Sequence, residues 1–104
     1  MELKNTEIKD ALGNPAIVPD SDNNPTQLML FDAVRTIVWT LPAADLTLGD
    51  SEIARDILRG LHSASQNGNL WKAEDAQYEW LKKIVTQHAT RVFGINAICV
   101  VEEI

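Results

Sequence analysis

Residues 24–42 read NPTQLMLFDAVRTIVWTLP, and this stretch decides the fold. Its apolar residues recur at the spacing of one helix face, and they are Leu30, Val34, Ile37, Val38 and Leu41. Asn24 suits the N-cap, Pro25 the first helical position and Gln27 the third. The pattern therefore predicts a helix from this start to about Thr40, the most buried helix of the protein.

Two further helices are predicted by the same periodicity. Thr47 and Asp50 form a capping box that opens the first of them, and Gly68 suits the left-handed position that ends it. The second runs from about residue 73 to residue 90, with acidic residues first and lysines later, which complements the helix macrodipole. The expected core comprises Leu30, Val34, Ile37, Val38, Ile57, Leu58, Leu61, Trp80, Leu81, Ile84, Val85 and Ile98.

The final segment, residues 95–104, fits two structures. Its β-branched residues favour a strand, whereas Ala97, Val101 and Ile104 keep near-helical spacing. We favour a short helix after a kink near Gly94, with the strand as the alternative.

Residues 1–19 are predicted to form a β-hairpin arm. Apolar and polar residues alternate near its start, residues 10–15 have turn chemistry, and a short apolar run follows at 16–18. With residues 24–104 as a helical core, the whole chain is expected to be a single domain. Its class is mainly α with a small β element: three principal helices plus an N-terminal β-hairpin. A two-stranded hairpin is only marginally stable by itself, so it must pack on the helices or pair with another chain. Its exposed edge is therefore a candidate contact surface.

The composition indicates a small acidic protein. The 104 residues include 9 Lys and Arg against 15 Asp and Glu, for a net charge of −6, which disfavours binding to nucleic-acid phosphates. No apolar run approaches the roughly 20 residues that span a bilayer, and no secretory signal is recognised at the start. The single Cys99 cannot form an intramolecular disulfide. We therefore expect a cytoplasmic protein that binds neither nucleic acid nor a membrane.

No arrangement of catalytic or metal-ligating residues stands out. His62 and His88 lie far apart, and neither has a second ligand three or four positions on. Cys99 lies in an apolar run typical of a core, and Glu102 and Glu103 are typical of a solvated tail. The sequence thus predicts a protein that is not an enzyme, with no catalytic, metal-binding or cofactor-binding residues and no cofactor.

The candidate partner-binding residues are one tryptophan and three aspartates. Trp71 follows a glycine-containing loop and either staples the next helix or anchors a partner. Trp39 and Trp80 lie on apolar faces and are expected in the core. The acidic candidates lie in the first fifty residues, which contain most of the excess negative charge, and are Asp20, Asp22 and Asp32.

Four short motifs follow one another along the chain. They are a turn at Lys9–Pro15, helix starts at Leu46–Glu52 and Ala73–Asp75, and Phe93–Gly94 before the last apolar segment. This order resembles small acidic proteins encoded in tailed bacteriophages and prophages, although Lys72 stands where that group has Ser or Thr. The resemblance implies an accessory component of head or tail assembly in the bacterial cytoplasm, and no catalytic residue.

The partner of such a protein would be a phage structural protein, a host protein or a second copy of the chain. The alternative function is a regulatory module that inhibits a host or phage protein through its acidic surface.

Overall fold

The computed structural model describes residues 1–104 as a mainly helical fold with a small β element. The helices are α1 (Leu30–Trp39), α2 (Leu48–Gln66), α3 (Asp75–Phe93) and α4 (Ala97–Glu102). The strands are β1 (Glu2–Lys4), β2 (Ile17–Pro19), β3 (Pro25–Gln27) and β4 (Leu70–Lys72). Three principal helices and an N-terminal β element confirm the predicted fold class.

The strands pair differently from the predicted hairpin at residues 1–19. β1 pairs antiparallel with β4, and β2 pairs antiparallel with β3 around a turn at Asp20–Asn24. The predicted turn at residues 10–15 is present. A bridge between Lys9 and Pro15 and backbone hydrogen bonds from Asp10 to Asn14 and from Ala16 to Ile8 join its two sides, but no named strand pair forms there. The alternating pattern thus identifies extended segments without identifying their partners, because pairing depends on how the helices bring distant segments together.

The predicted start of the first helix is wrong. α1 begins at Leu30 because residues 25–27 form β3, so Asn24 does not cap it. Instead, the N-terminal segment supplies the cap: the Phe31 N–H donates to Asn5 Oδ1 at 2.9 Å. The free N–H groups at a helix start can be satisfied by any nearby acceptor, including one from a distant segment.

Three backbone segments meet around the side chain of Gln27. The N–H of Ala16 donates to the Ile8 carbonyl, that of Leu28 to Ala16, and that of Ile8 to Leu28, at 2.8–2.9 Å. Gln27 Nε2 lies 2.8, 3.2 and 3.0 Å from the carbonyl oxygens of Ile8, Ala16 and Leu28. One amide group thus joins three segments: the one before the turn at residues 10–15, the one between that turn and the turn at Asp20–Asn24, and the one after the second turn.

The two turns of this region have the same structure. Asp10 Oδ1 accepts hydrogen bonds from the N–H groups two and four residues on, and so does Asp20 Oδ1. The fourth residue of each turn has positive φ, +85° at Gly13 and +61° at Asn23. This geometry is a type I turn followed by a left-handed residue, which Gly and Asn adopt most readily.

α2 begins and ends as predicted. Thr47 Oγ1 accepts from the Asp50 N–H, and Asp50 Oδ2 accepts from the Thr47 N–H, both at 3.1 Å. At the other end Gly68 has φ +95°, and the Asn69 N–H donates to the Ala64 carbonyl at 2.8 Å. These are the capping box and the Schellman arrangement that the sequence indicates.

The capping box makes the stability of the fold depend on the ionisation of Asp50. Hydrogen bonds from the Thr47 backbone and then from the Trp80 indole, at 3.1 Å, hold the Asp50 pKa below its ordinary value of 3.8. A carboxylate with a lowered folded pKa stabilises the fold above pH 3.8, and that contribution is lost as the pH falls through the folded pKa.

We therefore expect Asp50→Asn to be less stable than the native chain near pH 7, with a smaller difference at about pH 2.5. Urea midpoints at the two pH values measure this. Glu52→Gln, an exposed carboxylate of the same helix, is the matched control. If Asp50→Asn lost the same stability relative to the native chain at both pH values, the lowered pKa of Asp50 would be contradicted.

The last segment is helical, as favoured above. Gly94 has φ +58°, a 3₁₀ turn follows, and α4 then continues to Glu102. Ala97 and Val100 are the buried residues of α4. Ile98 is 55% exposed, so its assignment to the core is wrong, because it lies off the face that Ala97 and Val100 share. The core candidates Leu58 and Trp80 are half-buried, and the other nine are buried.

The helical stretch Asp75–Glu102 is long and apolar enough to cross a membrane by those two criteria alone, with a mean hydropathy of 1.3. The core helix of a soluble protein can meet the same criteria. In this fold α3 packs against α1 and α4, with Leu81, Val85 and Ala89 in the core.

Candidate functional site

Trp39, at the C-terminal end of α1, lies on the surface. Its side chain is 76% exposed, whereas the adjacent Val38 is 4% exposed, so the prediction of Trp39 in the core is wrong. The buried residues of α1 recur along one face, and Asp32, Arg35 and Trp39 lie at i, i+3 and i+7 on the opposite face. Trp39 is the last residue of α1, so no further helical turn follows the indole.

A groove of about 450 Å³ runs between α1 and α2 beside Trp39. It lies within the roughly 300–1,000 Å³ range of binding pockets and is open to solvent. The lining residues from α2 recur at helical spacing and thus form one continuous face. All lining residues are Val38, Trp39, Leu46, Ser51, Ala54, Arg55, Leu58 and Arg59.

A second groove lies on the other side of the same indole. It has a volume of about 400 Å³ and is lined by Arg35, Thr36, Trp39 and Thr40. Trp39 therefore lines both grooves. We call the lining residues of both grooves together the Trp39 surface.

Three of the four arginines of the chain belong to the Trp39 surface, and the fourth reaches its rim. Arg35, Arg55 and Arg59 line the grooves. Arg91 of α3 reaches the rim, where its Nη1 donates to Thr40 Oγ1 at 3.5 Å. No carboxylate lines either groove, although the chain has 15 acidic residues. The surface is therefore basic and aromatic in a protein that is acidic overall.

Two of these arginines have acidic neighbours at the rim. Arg35 pairs with Asp32 on α1, and Arg55 Nε lies 3.3 Å from Asp56 Oδ1. The side chains of both pairs are about half exposed, and exposed pairs of this kind contribute little free energy. Arg59 has no ion-pair partner within 4.0 Å. Arg59 is thus unpaired, and incoming carboxylates can compete for Arg35 and Arg55 because their present pairs are weak.

Trp71, in contrast, is buried at 5% exposure, so its interpretation as an exposed anchor for a partner is wrong. Its strand, β4, pairs with β1, and its indole lies against Gly60 of α2. A Cβ at position 60 would lie only 2.5 Å from Trp71 Nε1. A glycine in mid-helix is unfavourable by itself, so Gly60 was the signal in the sequence that another group approaches there.

The three acidic candidates occupy two different parts of the structure. Asp20 organises the turn between β2 and β3 through its two backbone hydrogen bonds, and Asp22 is exposed in that turn. Asp32 is on the outer face of α1, where it pairs with Arg35. Two of the three carboxylates therefore already have partners within the fold.

Of the remaining titratable residues, Cys99, Glu102 and Glu103 line a pocket of about 430 Å³ together with Glu7, Lys9 and Asp10 of the N-terminal segment. His62 is exposed on α2, and His88 is half-buried on α3. Cys99 is half-buried in α4, and Glu103 accepts a hydrogen bond from Thr6 Oγ1 at 3.1 Å. No group of three His, Cys, Asp or Glu side chains is arranged to hold a metal ion.

Comparison with known proteins does not assign a function. No protein-family model, curated protein or solved structure matches the chain. The Trp39 surface is the candidate binding site, because one exposed indole, two open grooves and three arginines lie together there, with Arg91 at the rim.

Proposed function

We propose that this chain is a non-enzymatic protein-binding module whose partner docks on the Trp39 surface. The observation that carries the proposal is the indole of Trp39, 76% exposed between two grooves. Burying a tryptophan removes about 150–250 Å² from water at roughly 25 cal/mol per Å². Covering the exposed part of Trp39 would therefore favour association by about 3–5 kcal/mol before the costs of binding.

The residue types also support a protein partner. Tryptophan and arginine are the residues most enriched among those that dominate protein–protein binding energies. Here they lie side by side, with apolar Leu46 and Leu58 in the groove beneath them. The arrangement matches an interface with an apolar centre and a charged rim.

The resemblance to phage-encoded proteins supports a more specific form of the proposal. In that form the chain is an accessory component of virion assembly in the bacterial cytoplasm, and its partner is a structural protein of the head or tail. The regulatory alternative, acting through the acidic residues, is supported by the exposed Asp22 and the net charge of −6.

We expect Trp39→Ala to weaken partner binding by about 30-fold or more, because truncation of a central tryptophan costs about 2 kcal/mol or more. The native and Trp39→Ala chains would serve as baits in the source cell. Any protein lost only from the Trp39→Ala bait would then be purified and titrated against both chains by calorimetry.

Leu12→Ala is the matched control, since Leu12 is 87% exposed and lies in the turn at residues 10–15. Asp22→Lys tests the regulatory alternative. Equal affinity of the native and Trp39→Ala chains for the purified partner would refute the Trp39 surface as the docking site. If only Asp22→Lys weakened binding to the partner, the acidic surface would instead be supported as the docking site.

A further inference from the structure

We infer that the occupant of the Trp39 surface is an acidic amphipathic helix of a partner protein. This inference rests on the proposed function and adds the chemistry of the partner: carboxylates that flank an apolar stripe.

The charge of the site requires an acidic occupant. Arg35, Arg55 and Arg59 line the two grooves, and no carboxylate does. Arg59 has no ion-pair partner, and those of Arg35 and Arg55 are half-exposed pairs that contribute little free energy. A basic segment docked here would bring like charges together, whereas Asp or Glu side chains would meet guanidinium groups that bind carboxylates bidentately.

The shape of the groove favours a helix over a strand. A peptide that adds as a strand needs the free edge of a sheet. Every residue of the larger groove lies on α1, on α2 or in the loop at Leu46, so it offers no strand edge. The α2 face from Ser51 to Arg59 extends about 12 Å, roughly two helical turns. That length suits apolar side chains at i, i+4 and i+7 of a docked helix.

The wider charge distribution disfavours nucleic acid as the occupant. A polyanion also pairs with arginine and stacks on an indole. However, an extended nucleic-acid strand would continue past this one basic surface and meet the rest of a protein with a net charge of −6, which would repel its phosphates. A helix of about two turns in contact with α2 would span only the length of this basic surface.

Three synthetic helical peptides of about 18 residues test the inference. They share one leucine and phenylalanine stripe, and their flanking positions are all Glu, all Gln or all Lys. An oligothymidine of similar length is the fourth probe. Binding is measured by calorimetry and by the shift of the Trp39 indole N–H resonance, assigned by its absence in Trp39→Phe.

We expect the Glu peptide to bind at least about 10-fold more tightly than the Gln peptide, and more weakly as salt is raised. Arg55→Glu with Arg59→Glu should reverse the preference towards the Lys peptide. Both arginines are exposed, so these changes should leave the fold intact, and Arg59→Glu alone serves as a milder version. Lys82→Glu with Lys83→Glu makes the same charge change on α3, outside the Trp39 surface, and should not reverse it.

Equal binding of the Glu and Gln peptides would refute the acidic occupant while leaving an apolar docking site in place. Failure of the Glu peptide to shift the Trp39 resonance would also refute it, and the bait experiment would separately decide the proposed function. If the oligothymidine bound more tightly than the Glu peptide, the surface would be assigned to nucleic acid. Self-association lost with Trp39→Ala would assign it to a second copy of the chain.

Discussion

Replacing Trp71 with alanine is expected to lower the free energy of unfolding by about 3–5 kcal/mol. Trp71 is 5% exposed, faces Leu3 across the β1–β4 pair and fills the space above Gly60. The substitution would remove the apolar contacts of the indole and leave a cavity between the sheet and α2. Urea unfolding followed by circular dichroism measures the change.

The same substitution at Trp39 is the matched control. Because Trp39 is 76% exposed, Trp39→Ala should change stability by no more than about 0.5 kcal/mol. The contact with Gly60 can be checked in the Trp71→Ala background, where Gly60→Ala should become stabilising through its higher helix propensity. Similar losses of stability at Trp39 and Trp71 would contradict the burial of one and the exposure of the other.

The second large effect is expected where Gln27 joins three backbone segments. Gln27→Glu should destabilise the fold by about 2–3 kcal/mol near pH 7, because the carbonyls of Ile8, Ala16 and Leu28 lose a donor and face a negative charge. The charged form is disfavoured there, so the pKa of the introduced carboxyl is raised. The loss should therefore shrink as the pH falls towards about 4 and the carboxyl becomes neutral.

Urea midpoints near pH 7 and pH 4 measure this recovery. Thr26→Glu adds a carboxylate to the exposed neighbouring residue of the same strand and serves as the control. If Gln27→Glu lowered the free energy of unfolding no more than Thr26→Glu does, the Gln27 amide would not hold the three segments together.

The sequence was most informative where a structural feature lies within a few residues. The Thr47–Asp50 capping box and the left-handed Gly68 follow from interactions among neighbours, whereas residues 95–104 fitted both a helix and a strand. Such interactions depend on spacing along the chain, which the sequence shows directly. The helical periodicity likewise placed Leu81 and Val85 in the core.

The candidate site was harder to predict because it depends on which helix face is covered. Periodicity predicts Trp39 in the core, and Trp71 is predicted either to staple the next helix or to anchor a partner; the structure exposes Trp39 and buries Trp71, which excludes the anchor. A signal was available for each. Trp39 shares its face with Asp32 and Arg35, which a buried face would exclude, and Gly60 marks the close approach of Trp71.

By itself, the sequence determined the helices, most of their ends and the mainly α class, because these depend on local spacing and on apolar periodicity. Only the tertiary structure decided that β1 pairs with β4, that Asn5 caps α1 and that three arginines line the grooves beside Trp39. These contacts join residues far apart in the chain, and a local pattern does not specify which distant group satisfies a free backbone group or an open surface.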